Sequence, residues 1–180
     1  MRQYPFESDD FDADMKALGF TGWGFVDTDQ IVFRPEVRHM CEVNRCGQYG
    51  KTWACPPGVG TYEECRAKCL AFPRALVFSG CYELEDCFDA EGMAEGHRKF
   101  EDSSRELHKK LTGEYLFLSN EGCRNCPKCT YPDAPCRFPE TLSPSVEGYG
   151  IMVFELAKSA GLVYHKSSQS VSYFGLCCFR

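Results

Sequence analysis

Short unbroken apolar runs alternate along this chain with longer stretches in which apolar residues return every third or fourth position. The runs Ala75-Leu-Val-Phe78, inside Arg74–Gly80, and Tyr115-Leu-Phe-Leu118 have the length of buried strands. Leu162–His165 and Val171–Phe179 read as two final strands, antiparallel neighbours across Lys166–Ser170. Helical spacing marks Phe11–Leu18 and Glu91–Leu111, the latter with Met93, Phe100, Leu107 and Leu111 on one face and Gly113 at its end. Another helix starts at Thr61, where Thr61-Tyr-Glu-Glu64 is a capping box, and Pro73 ends it. Ser143-Pro144 opens a third, with Val146, Tyr149, Val153, Leu156 and Ala160 as its stripe and Gly161 as its close.

Ahead of these, Gly24–Asp27 and Gln30–Phe33 read as a brief hairpin around Thr28-Asp29, so residues 1–36 form a helix and a hairpin. The order of strands and helices predicts an α/β fold: one domain over residues 1–180, a mixed sheet flanked by helices. Two cysteine-rich loops interrupt the pattern, at residues 37–60 and 121–140. Each leads towards a helix start whose dipole favours an anionic group in the loop.

Those loops hold seven of the 13 cysteines. The total is odd, the start has no apolar signal region, and no run approaches membrane-spanning length. The expectation is a cytoplasmic protein with reduced thiols, several of them metal ligands, and no membrane partner. A formal net charge of −6 with scattered Lys and Arg gives no nucleic-acid footprint. Lys109-Lys110 ends a helix, and the acidic stretches Glu7–Asp14 and Glu83–Glu91 read as solvated surface.

In the second loop, Cys123, Cys126 and Cys129 stand two residues apart and Cys136 follows after six. Three thiolates at that spacing wrap one chain around a compact iron–sulfur cluster. Zinc more often takes its cysteines as separate pairs, and is the alternative for the same four residues, with no redox role. All four ligands of a [4Fe-4S] cluster are therefore available in this loop. The first loop offers Cys41, Cys46 and Cys55, with looser gaps of four and eight. A second cluster held by three cysteines leaves one iron open, unless Cys65, Cys69 or a distant cysteine closes the shell. Cys65 and Cys69, four apart on a helical stripe, read as core residues, while Cys81, Cys87, Cys177 and Cys178 fit strands or loop edges with no ligand role. His39 reads as a hydrogen-bonded surface or core residue, Arg45 and Lys51 as solvated loop residues, and Trp53 as a cover over the cluster. The sequence has no phosphate-binding glycine loop, dinucleotide fingerprint or nucleophile elbow.

Val37-Arg38, Cys41, Cys46, Tyr49-Gly-Lys51 and Cys55-Pro-Pro57 carry a resemblance that continues in the second loop and beyond it. There it rests on Gly122-Cys123, Cys126, Cys129, Pro135-Cys-Arg137, Pro139-Glu140, Pro144-Ser145, Glu147, Gly150-Ile151 and Gly161. From about Asp27 to the end, the chain resembles the prokaryotic family of predicted metal-binding proteins known as domain of unknown function 2284. The resemblance implies metal or iron–sulfur binding by Cys41, Cys46, Cys55, Cys123, Cys126, Cys129 and Cys136, and no established reaction. The expected function is electron transfer, or service as an accessory redox subunit, with two [4Fe-4S] clusters and a redox partner protein. One alternative is an enzyme that binds a small-molecule substrate at an open iron, as in desulfidation or dehydration. Another is a zinc-stabilised binding module.

Overall fold

The computed structural model describes residues 10–120 and 122–180; the start of the acidic stretch at Glu7 lies outside them. Its centre is a four-stranded sheet of β1 (Gly22–Asp27), β2 (Arg74–Glu83), β3 (Tyr115–Leu118) and β4 (Ser170–Phe179), in the order β1-β2-β4-β3. The α/β class with flanking helices is as expected. The sheet itself is antiparallel at every pairing and not mixed. β4 inserts between β2 and β3, so the crossover from β2 to β3 never produces a parallel neighbour pair.

β2 and β4 pair over ten residues, from Arg74 opposite Phe179 to Glu83 opposite Ser170. Both faces of this pair are covered, which explains unbroken apolar runs where a half-exposed strand would alternate. One face packs Leu76, Phe78, Phe117, Cys177 and Phe179 against α1 (Phe11–Ala17), through Met15, and α4 (Ala90–Lys110), through Phe100 and Leu107. The other packs Ala75, Val77, Leu118, Leu176 and Cys178 against α3 (Tyr62–Leu70), through Cys65 and Cys69, and α5 (Val153–Ser159), through Leu156 and Ala157. Cys177 and Cys178 thus enter opposite cores, as adjacent strand residues must.

The Thr61 capping box forms, with Thr61 Oγ1 accepting from the Glu64 amide at 3.1 Å and Glu64 Oε2 from the Thr61 amide at 2.8 Å. Other expectations need correction. Gln30–Phe33 is no strand: Thr28–Gln30 is a 3-10 turn, its Thr28 hydroxyl donating to the Phe72 carbonyl, and Phe33 makes a single bridge to Ile151. The first cysteine loop begins as a helix, α2 (Pro35–Glu42), with Pro35 in the first turn where its missing N–H costs nothing. No helix starts at Ser143-Pro144. The Ser145 amide donates to Ala54 O at 2.9 Å and the Val146 amide to Ser119 O at 3.1 Å, which ties this segment across to other loops. A 3-10 turn follows at Glu147–Tyr149, Gly150 breaks it in the left-handed region at φ 76°, and α5 forms only afterwards. Residues 162–165 are not a strand, and β4 pairs with β2 and β3 instead.

Candidate metal centres

Cys41 lies on the last turn of α2, and Arg38 one turn earlier anchors that helix. The Arg38 guanidinium donates to Gly148 O at 2.8 Å and to Gly60 O at 2.6 Å, and stands 3.8 Å from Cys65 Sγ. Beyond α2 the chain reverses at Asn44, whose φ is 59° and whose side-chain oxygen accepts from the Tyr49 amide at 2.9 Å. The Gly50 amide then donates to Pro56 O at 2.8 Å, folding the segment back on itself. The result is a cavity of about 250 Å³ lined by Cys41, Cys46, Cys55, Gln48, Tyr49, Pro56, Ser145 and Glu147. The three cysteines of the first loop therefore face one space. Cys55 is buried, Cys41 half-buried and Cys46 exposed at its rim.

The charges in this cavity oppose one another. Burial, then the Glu147 carboxylate, Cys55 and Cys46 push the Cys41 thiol up to about 11, while Arg38 pulls it down. Burial also raises Cys55; the Thr52 and Ser145 hydroxyls counter it, and Cys46 and Glu147 add to it. Without a cation such a group keeps its protons, whereas a bound metal deprotonates a thiol outright.

Among its described residues the second loop is irregular up to a 3-10 turn at Pro139–Thr141, and side chains hold its shape. Thr130 Oγ1 donates to Pro135 O at 2.8 Å, Arg137 to Lys128 O at 3.0 Å, and Asn125 Nδ2 to Thr141 O at 2.7 Å. The structure brings Cys123 within electrostatic reach of Cys136 and Cys126. Burial raises the Cys123 thiol most, the backbone amides of Asn125 and Ser143 lower it, and the two cysteines raise it again. The Asn125 amide lies 3.4 Å from Cys123 Sγ. Amide bonds to sulfur are among the features that tune an iron–sulfur cluster. Cys129 is half-buried farther along the same loop.

The two loops touch. Trp53 of the first donates from Nε1 to Ala134 O of the second at 3.0 Å, and its ring meets Tyr131 edge-on with centroids 4.9 Å apart. A methyl group on Gly122 would stand 3.1 Å from Cys55 Sγ and 3.2 Å from Ala54 Cβ, and Gly122 has φ 83°. Gly122 precedes Cys123, so with 3.8 Å between successive Cα atoms the Cys123 backbone lies within about 9 Å of the Cys55 sulfur. On the far side of Cys123 a second cavity, about 260 Å³, reaches to Ser104, His108 and Ser143.

The other cysteines stand apart from these sets. Cys65, Cys69, Cys177 and Cys178 are fully buried in the two cores. Cys81 is half-buried and Cys87 exposed. His39 lies outside the first cavity, 3.1 Å from Glu42. Arg45 and Lys51 are exposed. Sequence spacing missed two residues of the first centre, Arg38 and Glu147, which appear only as part of the family resemblance. Nothing in local pattern connects Glu147 to Cys41, because a turn from a distant segment delivers it.

Among the described residues, no three His, Cys, Asp or Glu side chains stand close enough together to grip one metal ion.

Fold and site together define a cysteine-rich α/β protein with two adjoining sets of thiols. The family model described as "Predicted metal-binding protein (DUF2284)" matches residues 24–179, and the chain belongs to that family. No curated protein and no solved structure matches it.

Proposed function

We propose that the protein carries two [4Fe-4S] clusters and serves in electron transfer, alone or as an accessory redox subunit. Cys123, Cys126, Cys129 and Cys136 hold one cluster; Cys41, Cys46 and Cys55 hold the other. Bound there, the clusters supply one-electron chemistry. The chain does the rest. Gly122 lets Cys55 and Cys123 approach, since any side chain at that position would push against the Cys55 sulfur. Trp53 and Tyr131 close the seam between the loops. Pro56 is fully buried behind the first set, and the Asn125 and Ser143 amides point at the Cys123 sulfur. The observation that carries this reading is the contact of Gly122 with Cys55. It sets the two thiol sets side by side, as a protein passing electrons between two clusters requires.

Electron paramagnetic resonance of the anaerobically reduced protein tests this. Two clusters this close should broaden each other's signals. Cys126→Ala should remove about half the iron and leave one sharp, isolated signal, because metal bonding at the second loop depends on its thiolates. Unchanged iron in Cys126→Ala, or two independent signals in the parent protein, would sink the paired-cluster reading.

One observation favours a second reading. The first cavity is partly open and presents only three cysteines, the arrangement by which a metal centre keeps a position for a substrate. In that case the protein is an enzyme of the desulfidase or dehydratase kind.

A further inference from the structure

We propose that Glu147 closes the first centre, its carboxylate taking the coordination position that Cys41, Cys46 and Cys55 leave. This rests on the reading of that centre as an iron–sulfur site. Four acidic side chains face the cavity: the three cysteines and Glu147. Glu147 therefore borders the same space as all three thiols, where a group shared with them must be.

The fold fixes this placement from three directions. The Glu147–Tyr149 turn lies against α2, the helix that carries Cys41, and Arg38 of α2 bonds the Gly148 carbonyl at 2.8 Å. The Gly148 amide donates to Ser145 Oγ at 3.0 Å, and the Ser145 amide is bonded to Ala54, next to Cys55. Gly148 admits no side chain, because a methyl there would press on Ser145 Oγ and stand 3.1 Å from the Pro56 ring. Glu147 is thus held to both ends of the first cysteine loop. Rival ligands are turned elsewhere: Cys65 and Cys69 are fully buried in the core, and His39 is exposed beside Glu42.

An oxygen ligand has consequences that a fourth thiolate would not. Carboxylate is a harder donor than thiolate and binds soft iron–sulfur centres less firmly, so the iron it holds should differ from its three companions. Mössbauer spectra of protein reconstituted anaerobically with iron-57 and sulfide test this. About one iron in four of the first cluster should show an oxygen-ligated component. Glu147→Cys should keep the iron and abolish that component. Glu147→Ala and Glu147→Gln should lose it or lose the iron, and any iron retained should respond to added 2-mercaptoethanol. The proposal is overturned if the distinct component survives in all three variants, or if all three lose first-centre iron alike, since a purely structural glutamate would give no rescue by cysteine. Failure of the underlying reading looks different: the parent protein would then take up no iron and sulfide that depends on Cys41.

Discussion

His108 shows how burial sets the behaviour of one residue. Its ring is stacked on Phe117 with centroids 4.4 Å apart, Tyr115 meets it edge-on, and Ser143 Oγ lies 3.4 Å from Nδ1. Burial lowers its affinity for a proton below the ordinary 6.5. The unfolded chain therefore binds a proton here at a pH where the folded chain does not. The stability this residue contributes is complete above about pH 6.5 and declines as the pH falls below it. His108→Phe keeps a ring on Phe117 and removes the titration. Urea midpoints at pH 7.5 and 5.5 should fall less for this variant than for the parent. Parallel losses would show that His108 does not titrate in isolation from solvent.

Cysteines also separate at this scale. Cys65 and Cys69 sit four apart on a helical stripe, and that spacing already places them in a core. The close spacing in the second loop already marks a metal site as the better explanation of its thiols. Glu147 and Arg38 were not legible in this way. Their relation to Cys41 depends on contacts between segments far apart in sequence, which no local period encodes.

At the scale of elements, the paired strands β2 and β4 depend on one close approach. Gly175 lies opposite Phe78, and a methyl on Gly175 would come within 2.2 Å of the Phe78 ring. Phe78 is fully buried among Phe20, Phe100 and Phe117, with ring centroids 5.0 to 6.0 Å away, so it has no room to retreat. Gly175→Ala should destabilise the fold by about 1–3 kcal/mol, the usual cost of overpacking a core, measured as a drop in the urea midpoint. An unchanged midpoint would mean that the ring relaxes freely.

The strands themselves were legible as unbroken apolar runs, and α4 and the capped α3 from their periodicity and caps. Their pairing was not, because β4 entering between β2 and β3 is a non-local choice that sequential order does not reveal. α2 was obscured by its own cysteine. Pro35 was the available signal, a proline suited to the first helical turn, but the segment from Val37 reads as part of a loop. The missing third helix has a different cause: the chain makes a 3-10 turn at Glu147–Tyr149, and Gly150, in the left-handed region at φ 76°, ends it before an α-helix can run on.

Over the whole molecule, the sheet buries Cys65, Cys69 and Cys178 on one face and Cys177 on the other, and the two cysteine loops hold seven more. The first loop, the second loop and the 143–149 segment interlock in one region. Ala54, Gly122 and Ser145 form that junction, with the candidate centres on either side of it. Among the described residues no helix is long and apolar enough to cross a membrane. Metal content decides between the chemistries that such a junction allows. Anaerobically prepared protein should be brown and contain iron and acid-labile sulfide in equal amounts, about four of each per cluster and about eight in all. Stoichiometric zinc without sulfide would contradict the account and leave a zinc-stabilised binding module in its place.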